Sequence, residues 1–82
     1  MERDVTQILS AADDSVSLIN GVDAGTWSVE GMEQSEINAM VQRNVDHLGI
    51  ILAYQEVIDD SSDKTAYTTA IATGNAYITA NS

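Results

Sequence analysis

The sequence predicts an all-α fold, a three-helix bundle with a long central helix. Its helices fall at about residues 4–20, 29–58 and 63–80, joined by short connections that favour up-down-up packing. Three observations carry that prediction. Apolar residues recur at spacings of three and four through most of the chain, the spacing that places them on one side of a helix. Five alanines in the last segment favour a helix there. The chain is 44% hydrophobic, too apolar for an acidic chain that stays unfolded. Its 82 residues suit a single domain, residues 1–82.

The first segment places Val5, Ile8, Leu9, Ala12, Val16 and Ile19 on one stripe. Asp4 can accept a hydrogen bond at the helix start, with Gln7 three residues on to complete a capping box. Asn20-Gly21 is the expected end, because glycine tolerates the left-handed conformation that closes a helix. Residues 21–28 read as a connection. Trp27 within it is expected to cover the open end of the core.

Ser28 can cap the second helix, whose early turns hold Glu30, Glu33 and Glu36 near the positive end of the helix dipole. Gly31 and Ser35 weaken that stretch and allow a start as late as Ser35. Ile37, Met40, Val41, Val45, Leu48, Ile51, Leu52 and Ile58 share one broad face. Glu36, Asn38, Gln42, Arg43 and Asp46 occupy the opposite side. Asn44 and Gln55 interrupt the apolar face and need hydrogen-bond partners if buried. Beyond Leu48 the polar side nearly vanishes, since Ile50, Ala53, Tyr54 and Val57 point away from the first face. A helix that is apolar all round is normally covered on several sides. The sequence therefore predicts a homo-oligomer with Ile50, Ala53, Tyr54, Val57 and Ile58 in the interface.

Asp59-Asp60-Ser61-Ser62-Asp63 breaks the pattern and supplies caps. The last segment admits two readings. As a helix it aligns Tyr67, Ala70, Ile71, Gly74, Tyr77 and Ile78, with Gly74 permitting two backbones to approach. As a hairpin, 68–73 and 76–80 would flank a Gly74-Asn75 turn. Alanine content and poor alternation favour the helix.

Thirteen carboxylates against three scattered cations, Arg3, Arg43 and Lys64, give a net charge of −10. Direct nucleic-acid binding needs cations gathered on one face, so it is not expected, and the same sign opposes anionic membrane surfaces. The longest apolar run, Leu48 to Tyr54, is too short to span a bilayer. Absent cysteine excludes a disulfide framework and thiolate metal ligation. The N-terminus carries no secretory signal pattern.

Chemical motifs are sparse. The sole histidine, His47, has no second ligand at helical metal-binding spacing, because residue 44 is asparagine. Asp59, Ser61 and Asp63 match the opening of a calcium loop. Lys64 then replaces its glycine, and Ala70 its bidentate glutamate. Asp13 and Asp14 point about 100° apart on a helix and cannot share a proton. No nucleophile elbow, phosphate loop or dinucleotide fingerprint occurs. These absences predict a non-catalytic protein with no metal and no cofactor.

Three stretches, Asp4-Val-Thr-Gln-Ile-Leu, Arg43-Asn-Val-Asp-His-Leu-Gly-Ile-Ile-Leu and Ala70-Ile-Ala-Thr-Gly-Asn-Ala-Tyr-Ile, together resemble small acidic proteins encoded by marine tailed bacteriophages. They cover about a third of the chain and are packing motifs, so they transfer no catalytic or binding residue. The resemblance implies a protein made in an infected bacterium, located in its cytoplasm or in the virion, with phage structural or host proteins as partners. The expected function is protein–protein interaction in phage assembly. The alternative is an acidic nucleic-acid mimic that inhibits a host DNA- or RNA-binding protein. Small-molecule binding at a crevice near Trp27 or His47 is a third possibility.

Overall fold

A computed structural model describes residues 4–82, which form four helices: α1 (Val5–Ala24), α2 (Gln34–Leu52), α3 (Gln55–Asp59) and α4 (Thr65–Ala80). All described secondary structure is helical, so the final segment takes the helix rather than the hairpin. Asp4 caps α1, its Oδ1 accepting the Thr6 N–H at 2.9 Å. The helix runs through Asn20-Gly21 and ends four residues later than its pattern predicts. Gly25, at φ 78°, supplies the left-handed residue that closes it. Gly21 has a different use. A Cβ there would lie 3.1 Å from the Trp27 Cβ, so the missing side chain lets Trp27 fold back over α1. Trp27 nevertheless remains 41% exposed and covers the core end only in part.

The central helix starts late and stops early. Gly31, at φ 82°, occupies the third position of a turn closed by the Met32 N–H donating to the Val29 carbonyl. Ser28 therefore lies outside α2, and Glu33 is its N-cap. The Glu36 carboxylate reaches back to accept the Glu33 N–H at 3.0 Å. At the other end, the predicted helix to residue 58 is interrupted. The Ala53 and Tyr54 N–H groups donate to carbonyls only three residues back, and Tyr54 then turns extended at ψ 135°. That tightened turn redirects the chain into α3.

The core is a layered stack. α1 contributes Ile8, Ala12, Ser15, Ile19 and Val22, and α2 contributes Ile37, Val41, Val45, Leu48 and Ile51. α4 adds Tyr67, Ala70 and Gly74, and α3 adds Val57. The α1, α2 and α4 helices pack pairwise, and α3 lies against α1 and α2. Tyr67 meets Asp13 while Gly74 meets Ile19, so α1 and α4 advance together. Ser15 meets Asn44 and His47 near the middle of α2, while Ile8 and Ile51 line one groove, so α2 runs the opposite way. This is the predicted up-down-up arrangement, with α3 as an additional turn of helix.

Gly74 of α4 faces side chains of both α1 and α2 at close range. A Cβ there would overlap the Val45 Cγ2 and lie 3.3 Å from Val41 Cγ1 and 3.4 Å from Ile19 Cγ2. The obstructing methyl belongs to a β-branched side chain with little rotamer freedom on a helix, so it cannot swing away. Gly74→Ala is therefore expected to destabilise the fold by about 1–2 kcal/mol. That is the net of overpacking strain and the roughly 1 kcal/mol by which alanine is the better helix former. Adding Val45→Ala removes the clashing methyl. Urea unfolding of the four proteins should show a favourable coupling of about 1 kcal/mol, whereas strict additivity would exclude the clash.

Candidate functional site

A polar constellation joins the middles of α1 and α2. Ser15, 3% exposed, is the one polar residue in the described core. Its Oγ donates to Asn44 Oδ1 at 2.9 Å and lies 3.2 Å from His47 Nδ1. Asn44 Nδ2 in turn donates to the Met40 carbonyl at 2.8 Å. These contacts fix the direction of every proton. A carbonyl only accepts, so the amide must aim Nδ2 at Met40 and Oδ1 at Ser15. The single Ser15 proton then belongs to Asn44. His47 can bond Ser15 only by donating from Nδ1–H, which in the neutral ring leaves Nε2 as its acceptor.

That order runs opposite to a catalytic serine–histidine pair, in which the imidazole accepts the serine proton. The network satisfies the Asn44 amide, whose need for a partner is visible in the sequence. Ser15 is not visible in that role. It lies 29 residues from Asn44, and only the pairing of two helices brings the groups together. Gln55, the other interruption of the apolar face, is exposed and donates to Asp59 Oδ1 at 2.8 Å.

Beside His47, toward the start of α1, lies an open groove of about 240 Å³ lined by Gln7, Ile8, Ala11, His47 and Ile51. On the opposite flank of α1, the Tyr67 hydroxyl donates to Asp13 Oδ1 at 2.9 Å. Burial pushes the Tyr67 phenol above its ordinary value, and the hydrogen bond and charge of Asp13 add to this, with a further contribution from the Asp60 charge.

The acidic loop before α4 acts as a clamp. Asp63 Oδ1 accepts from the Thr65 N–H at 2.9 Å and from Thr65 Oγ1 at 2.6 Å, holding the first turn of α4. Asp60 Oδ2 accepts from the Ser62 hydroxyl and from the Ser62 N–H, while Lys64 Nζ donates to the Asp60 and Ser62 carbonyls. The Ser62 side-chain bond is the main cause holding Asp60 below the ordinary carboxylate value, and the Thr65 side-chain bond does the same for Asp63. Among the described residues, no three His, Asp or Glu side chains gather where they could hold a metal ion.

The five residues expected to form an oligomer interface separate. Ile50 is 54% exposed and Ile58 58% exposed, on either side of the α2–α3 bend. Ala53 is exposed and Tyr54 half-buried. Val57 is 0% exposed and belongs to the core, which corrects its place in that set. On an unbroken helix it would point outward. The turn at Ala53–Tyr54 brings it inside. No described helix is long and apolar enough to cross a membrane. No family model, curated protein or solved structure matches the chain.

Ser15→Ala is expected to cost about 1–2 kcal/mol by leaving Asn44 Oδ1 without its donor. Long-range ¹⁵N–¹H correlation spectra should show neutral His47 protonated on Nδ1, with that share falling in the variant. A wild-type imidazole protonated on Nε2 would overturn the assigned proton order.

Tyr67 makes a separate prediction about alkaline stability. A raised folded value means that its contribution is complete below the ordinary phenol value of 10.0 and is lost as pH rises through the higher folded value. Thermal midpoints should therefore fall on strong alkalinisation, and Tyr67→Phe should reduce that slope. Asp60 and Asp63 have lowered values, so their contributions are present above the ordinary value of 3.8 and disappear as pH falls through the folded values.

Proposed function

We propose that the chain acts without catalysis, as a self-associating helical protein whose role is protein–protein contact. Its proposed setting is phage assembly or the virion, within an infected bacterium. The carrying observation is the pair of large aliphatic side chains, Ile50 and Ile58, exposed around the α2–α3 bend, with Ala53 between them in sequence. Scattered apolar residues are ordinary on a protein surface. Here, however, two isoleucines flank one bend while the same bend takes Val57 inward. The direction of the Ser15 proton supports the non-catalytic part of the reading. The resemblance to small acidic phage proteins supports the setting.

A second reading rests on the acidic surface. Twelve of the thirteen carboxylates lie among the described residues, and none of the twelve is buried. Such a surface suits a mimic of nucleic-acid phosphates that occupies a basic host protein. Salt separates the two readings. Two copies that each carry −10 repel one another, so added salt should strengthen apolar self-association. The same salt should dissolve a complex held by opposite charges.

Sedimentation equilibrium tests the proposal directly. Dimers or larger species are expected at micromolar concentration, increasing from about 0.1 to 0.5 M salt as the Debye length falls below about 10 Å. Ile50→Asp and Ile58→Asp should restore the monomer without changing helical circular dichroism. A wild-type chain that stays monomeric throughout would sink this reading.

A further inference from the structure

The groove beside His47 combines features that point to a ligand. Its apolar walls are Ile8 and Ala11 from α1 and Ile51 from α2. It holds about 240 Å³ and is open to solvent on one side. Two polar groups border this surface. The Gln7 carboxamide makes no hydrogen bond to any described residue. With the proton order assigned above, the neutral His47 ring donates from Nδ1 to the buried Ser15 and keeps Nε2 as an acceptor. A concavity that sets a few polar groups beside apolar walls has the form of a small-molecule site.

Charge selects among ligands. Asp14 lies seven residues beyond Gln7, on the same side of α1 by helical spacing, and Asp46 adjoins His47 on α2, with Arg43 as the opposing cation one turn earlier. The chain as a whole carries −10, so anions are repelled and small cations concentrated. The acceptors Nε2 of His47 and Oε1 of Gln7 match an N–H donor head. We propose that this groove binds a small organic cation: a primary ammonium that donates to His47 Nε2 and Gln7 Oε1, on a one-ring apolar body that covers Ile8, Ala11 and Ile51. The site belongs to one chain and is independent of self-association.

The test is a ¹H–¹⁵N NMR titration with 2-phenylethylammonium, compared with ethylammonium, which lacks the ring, and 3-phenylpropanoate, which reverses the charge. Saturable shifts at the groove residues are expected with the first probe, and affinity at least tenfold weaker with either comparator. His47→Asn keeps an N–H donor for Ser15 but supplies no acceptor where Nε2 stood, so affinity should fall about tenfold while the α1–α2 contact persists. Ala11→Met fills the groove and should abolish saturation. Equal binding of the anion, equal binding of ethylammonium, shifts spread over all carboxylates, no saturation, or wild-type affinity in His47→Asn would each overturn the proposal. The His47→Asn result stands even if Ala11→Met fails to fold.

Discussion

The contact of Gly74 with Val45, Val41 and Ile19 sets the spacing of the bundle. Helices normally lie 8–10 Å apart, at a distance governed by the side chains between them. Here α4 presents Tyr67, Ala70 and Gly74 to its neighbours, so most of the buried bulk must come from the isoleucines, valines and Leu48 of α1 and α2. A short chain has little apolar area to distribute. Bringing α4 close lets the same few large side chains fill a core shared by three helices. The glycine weakens α4 as an isolated helix, and packing offsets that loss.

The α2–α3 bend solves a second problem of small size. A straight helix through residue 58 would leave much of its outer side to solvent. Breaking at Tyr54 folds one more turn of helix against α1 and α2 and hides Val57 completely. The same geometry leaves Ile50 and Ile58 outward. One local event therefore completes the core and creates the surface on which the proposed self-association rests.

Polar groups act mainly as positional devices. Ser15, Asn44 and His47 hold α1 and α2 in one register, because a shift along either helix would leave the buried Ser15 hydroxyl or the half-buried Asn44 amide without its partner. Tyr67 and Asp13 join α1 to α4, and the Gln34 amide donates to the Tyr77 hydroxyl at 3.0 Å to join α2 to α4. The described carboxylates stay at the surface, where water solvates their mutual repulsion. Asp60 and Asp63 are employed there to shape the turn into α4.

Periodicity determined that α1 and α2 are helical and that Ile8, Ala12 and Ile19 of α1 and Ile37, Val41, Val45, Leu48 and Ile51 of α2 face inward, while alanine content favoured the helix in the last segment, where Gly74 marks a close approach. Those features follow from spacing along a single helix, which is local information. The Asn44 requirement for a partner was legible for the same reason, since a polar residue on an apolar stripe announces itself. Tertiary structure decided the rest. The stop at Tyr54 depends on what lies beside the helix, because nothing in Ala53-Tyr54-Gln55 forbids its continuation. A continuous helix would place Val57 outward for that reason. Ser15 and His47 lie 32 positions apart and meet only across a helix pair. The use of Gly21 is likewise settled by where Trp27 folds back. Helical propensity is summed over neighbours in sequence, whereas these outcomes are set by neighbours in space.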